Sequence, residues 1–216
     1  KHAEKAIENI FAKNKIPIIV GGTGLYIQAI VDNIVLPEVK PNWKLRKELE
    51  KKTTEEMFET LKKLDPERAE NIDPKNPRRL IRAIEIAKAL GKVPNLEASL
   101  PSWGPLQIGI KISNEKLKEN INKRLVYHLK KGMISEAKKL HSQGLSWKRM
   151  DELGLEYRYL AKFLKGEISK EEMTKKLKSE IWQYAKRQMT WFKRDKRIKW
   201  IKNYNDIVKS VKTFLM

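Results

Sequence analysis

The sequence predicts an α/β protein whose parallel-sheet core is interrupted by an all-helical module. Three observations carry this reading. Ile16-Pro17-Ile18-Ile19-Val20 is a short apolar run that ends at Gly21-Gly22, and it lies between two segments of helical character. Helix, buried strand, glycine turn, helix is the order of a parallel sheet. Ile108–Ile112 is a second short apolar run, and the residues between the two runs read as helix throughout. The chain thus divides into a partial α/β core at 1–36, a helical insertion at 37–105, and a return to the core at 106–216, with a strand at 108–112 and a helical C-terminal region.

Each element has a local reason. In residues 1–14, Ala3, Ala6, Ile7, Ile10 and Phe11 recur at helical spacing. Thr23–Ile30 reads as a turn leading into a helix. Trp43–Lys52 carries Leu45 and Leu49 on one face. Thr53 and Glu56 have capping-box spacing ahead of Met57, Leu61 and Leu64. Asp65-Pro66 is an N-cap followed by proline at the first helical position. Pro77–Leu90 is a helix closed by Gly91, and Pro101–Pro105 is a linker. Ser113 caps a helix with Leu117, Ile121 and Leu125 inward, and Gly132 ends it. Ser135–Gln143 is a shorter helix, and 145–153 stays open between helix and loop. Ser169 and Glu172 form another capping box, opening a long helix to about Arg194. Its apolar stripe is Met173, Leu177, Ile181, Ala185, Gln188 and Phe192, with Gln188 the polar member. Trp182, Lys186, Thr190 and Lys193 fall on the opposite side, joined by Arg197 if the helix runs past Arg194.

Composition narrows the function. The 216 residues carry a formal charge of +20 and no cysteine. That excludes a disulfide framework and any thiolate nucleophile or metal ligand. His2, His128 and His141 lack ligand spacing. No stretch approaches the roughly 18–20 apolar residues of a membrane span, and no apolar run with a cleavage site opens the chain, so a cytoplasmic protein is expected. A large positive charge marks either a polyanionic partner or a lysine-rich proteome. Its distribution favours the first: Lys170–Lys202 holds 12 Lys/Arg against 4 Asp/Glu, interleaved with Trp182, Tyr184, Trp191, Phe192 and Trp200. Cations for phosphates and rings for bases are the tools of RNA recognition, although most of these rings also suit a core.

Four motifs stand out. Gly21-Gly22-Thr23-Gly24 at a strand-to-helix turn lets backbone amides approach an oxyanion, or is a tight structural turn. It is neither a Walker A loop nor a dinucleotide fingerprint. Arg78 and Arg82, one helical turn apart, suit the phosphates of one strand or a solvated face. Arg124 sits beside the Ile121/Leu125 stripe, where partial desolvation and an anionic partner are expected. Lys186–Arg194 (KRQMTWFKR) is the best RNA-contact segment. No paired carboxylates, Ser/His/Asp set or metal cluster is present, so the residues alone yield no reaction.

Taken in order, PIIVGGTGLYI (17–27), DPERAENI (65–72), PKNPRRLIRAIE (74–85), GKVP (91–94) and AKRQMTWFKR (185–194) resemble the tRNA dimethylallyltransferase family across nearly the whole chain. The resemblance implies a P-loop NTPase-like core, of the nucleotide- and ATP-binding type, with a helical insertion that grips the tRNA anticodon stem-loop. It implies transfer of a dimethylallyl group from dimethylallyl diphosphate to the exocyclic N6 of the adenine beside the anticodon, with Mg²⁺ and a monomeric enzyme. The family's phosphate loop and Asp-Ser general base are expected upstream of Lys1, which makes this chain an N-terminally truncated, inactive fragment.

Carried over to this chain, Thr23 touches tRNA near the target base and counts as catalytic, beside Gly21, Gly22 and Gly24 as neighbours of the phosphate loop. Arg124 takes the diphosphate. Arg46, Arg78, Arg79, Arg82, Tyr157, Arg158, Lys186, Arg187, Thr190 and Lys193 contact tRNA. Metal ligands are not identifiable. Glu156, Asn120 and Ile181-Trp182 depart from the family's glycine, arginine and Thr-Arg. Two other readings stand beside the enzyme: a catalytically degenerate RNA-binding protein and a prenyltransferase acting on free adenylate. A mononucleotide needs neither the insertion nor the basic C-terminal helix.

Overall fold

The computed structural model describes residues 2–96 and 98–216. They form two compact units: residues 1–18 with 25–104, and residues 19–24 with 105–216.

The first unit is helical. It holds α1 (His2–Phe11), α3 (Trp43–Leu49), α4 (Thr54–Leu64), α5 (Pro66–Glu70) and α6 (Pro77–Leu90), while α2 (Gly24–Val31) starts at the junction of the two segments. Its core is Leu45, Leu49, Met57, Leu61, Ala69, Ile72, Leu80, Ile81, Ala83 and Ile84. These residues share a face because α3, α4 and α6 repeat their apolar positions every three or four residues. The helix ends follow the sequence closely. Thr53 and Glu56 close a full capping box. Asp65 accepts from the Arg68 amide at 3.0 Å and from the Val93 amide at 2.7 Å, so one buried carboxylate caps α5 and pins the chain beyond Gly91. Gly91 takes φ +84, which an L side chain resists.

The second unit holds β1 (Ile108–Ile110), α7 (Asn114–Lys130), α8 (Met133–Ser142), α9 (Trp147–Leu153), α10 (Leu155–Leu164), α11 (Lys170–Phe192), β2 (Lys199–Ile201) and α12 (Tyr204–Leu215). Leu125, Ala137, Met150, Leu160, Ala161, Met173 and Leu177 form its core. The two strands are parallel, in register Ile108–Lys199, Gly109–Trp200 and Ile110–Ile201. A parallel pair needs a long crossover, and here α7–α11 supply it.

The sequence reading is corrected in several places. Ile16–Val20 is not a strand: Ile18 is 83% and Val20 90% exposed. An apolar run becomes a strand only when a neighbour satisfies its backbone, and among the described residues the sheet is β1 and β2 alone. The run at 108–112 shortens to three residues. Strand β2 is too short to carry a period in the sequence, and α10 and α12 lie outside the helices that the sequence predicts. Helix α11 stops at Phe192, short of Arg197. The cause is Asp195, whose carboxylate accepts from the Arg197 amide at 2.9 Å and offers the backbone a turn in place of another helical bond.

Candidate RNA-binding and transfer site

In the second unit the glycine loop is seated under α11. The Gln188 side chain donates to the Gly22 carbonyl at 2.8 Å. A Cβ on Gly22 would lie 2.2 Å from Gln188 Nε2, and one on Gly24 would lie 2.3 Å from Trp191 Cδ1. These glycines are therefore required by side chains packed on the loop, and Gly22 and Gly24 have no left-handed backbone to explain. The polar member of the α11 stripe is the residue that fastens the loop. Thr23, between the two seated glycines, is exposed.

Lys186, Arg187, Thr190 and Lys193 are all exposed on α11 or its C-cap, so the expected cationic face exists. Thr190 returns its hydroxyl to the Lys186 carbonyl at 3.0 Å. Trp182 has Lys118 of α7 at 4.9 Å and Lys186 at 5.9 Å from its ring. Trp182 thus gathers lysines where the family resemblance led us to expect an arginine. Arg197 does not join this face. It pairs with Asp195, which its guanidinium holds at a pKa of about 2. Trp200 packs its ring against Gly109 in the sheet.

Arg124 corrects an expectation. Its side chain is 67% exposed and lies 3.7 Å from Glu156 of α10. It is neither desolvated nor without a protein carboxylate, because the stripe beside it turns inward at Leu125 while Arg124 points out. The carboxylate comes from Glu156, one of the residues that departs from the family pattern. Tyr157 donates to Glu136 at 2.7 Å, which raises the phenol's pKa. Arg158 bonds Asp151 at 3.0 Å.

In the first unit, Arg78 and Arg79 are exposed at the start of α6. Arg46 and Arg82 are engaged. Glu85, 2% exposed, accepts from Arg46 Nε at 2.9 Å and Nη2 at 2.8 Å, from the Asn42 amide at 2.6 Å, and from Arg82. The Arg46 bonds are the main cause that holds its pKa near 2, against the cost of burial. The sequence reading missed Glu85. Its signal was an acidic residue between Ile84 and Ile86 in a buried run, where only a paired carboxylate is tolerated. Beside it, an open groove of about 620 Å³ is lined by Lys40, Asn42, Lys44, Glu48 and Lys88, among others.

Among the described residues no group of three or more His, Asp or Glu is placed to hold a metal ion. Among the same residues no helix is long and apolar enough to cross a membrane.

Comparison with known proteins identifies the family and the fold. The profile of the IPP transferase family matches residues 1–195. The tRNA dimethylallyltransferase 1 of Geotalea uraniireducens is 37% identical over 216 residues, covering 98% of this chain and 71% of that protein. The tRNA dimethylallyltransferase 2 of Trichlorobacter lovleyi is 38% identical, covering 94% and 68%. The full-length tRNA isopentenylpyrophosphate transferase structure from Bacillus halodurans superposes with a TM-score of 0.64 at 30% identity, covering 99% of this chain and 70% of that one. A eukaryotic dimethylallyltransferase acting on tRNA superposes at 0.69 and 26% identity, covering 88% and 50%. The α/β class read from the sequence is the P-loop-like fold of these transferases. The chain belongs to the IPP transferase family.

Proposed function

We propose that this chain serves the transfer of a dimethylallyl group from dimethylallyl diphosphate to N6 of the adenine beside the anticodon of a tRNA. The N6 lone pair forms the new C–N bond to the prenyl carbon, the C–O bond to diphosphate breaks with its electrons, and N6 gives up a proton to a base. The observation that carries this reading is the Thr23 loop, fastened by Gln188 to a helix whose exposed face is Lys186, Arg187, Thr190 and Lys193. An exposed hydroxyl on a loop fastened to a cationic helix suits an RNA loop more than a free mononucleotide.

In this reading Thr23 touches the RNA near the target base, Gly21, Gly22 and Gly24 shape that loop, and Arg78, Arg79, Tyr157, Arg158 and the α11 cations hold RNA. Arg46 and Arg82 serve RNA binding while bonded to Glu85. Arg124 takes the diphosphate by leaving Glu156, a weak exposed pair that charge on a diphosphate outcompetes. Mg²⁺ would neutralise the charge of the diphosphate, and the enzyme works as a cytoplasmic monomer. The 216 residues contain no G-x-x-x-x-G-K-S/T phosphate loop, so the chain by itself binds RNA without turnover.

The test has two arms. The chain binds an anticodon stem-loop but leaves its adenine unmodified with dimethylallyl diphosphate and Mg²⁺. Fused to the part of the Trichlorobacter lovleyi relative that this chain does not cover, it gives isopentenyl-adenosine by mass spectrometry. A folded, RNA-binding fusion without product supports the degenerate RNA binder instead; turnover by the unfused chain refutes the placement of the catalytic parts.

A further inference from the structure

We propose that Trp43 is a stacking platform for one unpaired base of the bound RNA, held ready by the Arg46–Glu85 pair. Single exposed aromatic residues are common on protein surfaces and need no purpose. Trp43 differs by its setting. The indole opens α3 with 68% of its surface exposed. The Arg46 guanidinium lies 5.2 Å from the ring centroid. Arg46 is fixed: Nε and Nη2 are both bonded to Glu85, which is itself buried and anchored by the Asn42 amide. Asn42 is also the N-cap of α3, since its side chain accepts from the Leu45 amide at 3.0 Å. One buried carboxylate therefore fixes both the cation beside the ring and the backbone from which the ring projects. Little side-chain entropy remains to be lost when a flat partner docks.

The surrounding charge selects that partner. From Lys40 to Lys52 there are six cations, Lys40, Lys44, Arg46, Lys47, Lys51 and Lys52, against Glu48 and Glu50. An indole among surplus cations matches a base attached to a phosphate chain: the ring face takes the base, and the lysines take the backbone. A protein partner with an apolar anchor would meet an excess of cations along this segment. The inference rests on the RNA-binding reading above and adds to it a residue that neither the sequence motifs nor the resemblance singled out.

The experiment measures binding of the full chain to a fluorescent anticodon stem-loop across a salt series, for wild type, Trp43→Ala, Trp43→Leu and Trp43→Phe. Stacking is not ionic. Trp43→Ala and Trp43→Leu are therefore expected to weaken binding about ten-fold at every salt concentration, with an unchanged salt slope, and Trp43→Phe to recover most of it. Circular dichroism shows whether the variants keep the fold, as an exposed side chain allows. Full affinity in the alanine and leucine variants overturns the inference alone. Leucine matching tryptophan while alanine fails shows apolar bulk instead of stacking, and also overturns it. A wild type that binds no stem-loop refutes the RNA reading and this inference together. A change in oligomeric state on Trp43→Ala, with RNA affinity intact, assigns the ring to a protein contact and overturns the proposal.

Discussion

Replacing Glu85 with glutamine tests the energetics of the helical module most directly. The carboxylate is nearly inaccessible and its pKa falls from an ordinary 4.5 to about 2. At about 1.4 kcal/mol per pKa unit, this corresponds to roughly 3 kcal/mol of stability at neutral pH. Breaking a buried pair costs about 3–5 kcal/mol when its partner is left charged and buried. Arg46 and Arg82 keep 26% and 37% of their side chains exposed and can rehydrate, so the lower end applies. The sign follows from the depressed value. The contribution is fully present above about pH 5 and is lost as pH falls toward 2. Asp195 and Glu119 are also held at about 2, but they are common to both proteins and cancel in the difference. Urea unfolding of wild type and Glu85→Gln, followed by far-UV circular dichroism, is expected to show a gap of about 3 kcal/mol near neutrality that closes on acidification. A gap under about 1 kcal/mol at neutral pH, or one that stays constant into acid, would refute the reasoning.

Two further outcomes follow from the loop and its helix. Gly24→Ala sets a methyl against the Trp191 ring, whereas Gly22→Ala meets the mobile end of Gln188. Thermal unfolding is therefore expected to show a loss of about 1–3 kcal/mol for the first and less for the second; equal effects would mean the loop is not seated as described. Replacing Lys186, Arg187 and Lys193 together by alanine is expected to reduce the salt slope of stem-loop binding by about 2, while Arg197→Ala leaves it unchanged because Asp195 already compensates that charge. A fall in slope with Arg197→Ala alone would place the contact surface elsewhere.

How much of this was legible in the sequence depends on the range of the interaction. Caps such as Thr53 with Glu56, Asp65 with Pro66, and Gly91 are decided within four residues, and they stand where the sequence placed them. The apolar faces of α4 and α11 were legible for the same reason. Strand β2 was not, since its only support is a partner far along the chain. Arg124 illustrates a different limit. Spacing put it beside the Ile121/Leu125 stripe, but only the placement of α10 reveals Glu156 opposite it. Arg82 looked like a phosphate ligand beside Arg78, and Arg46 like a tRNA contact by resemblance, while the residue that binds both Arg46 and Arg82 was hidden in an apolar run. Gln188 was visible as a misfit in a stripe, while its target, the Gly22 carbonyl, was not.

That last bond spans 166 residues. During synthesis at about 5–20 residues per second, the Thr23 loop is made roughly 10–30 s before the helix that fastens it. Until α11 arrives, Gly22 and Gly24 have nothing packed on them, and this part of the chain waits as an open hinge between helices that are already able to form. The same glycines that admit Gln188 and Trp191 in the finished protein leave the nascent segment with little conformation of its own. The loop that carries Thr23 is thus among the last parts of the chain to take shape, and any stop in translation ahead of Gln188 would release a polypeptide with its insertion folded and that loop unset.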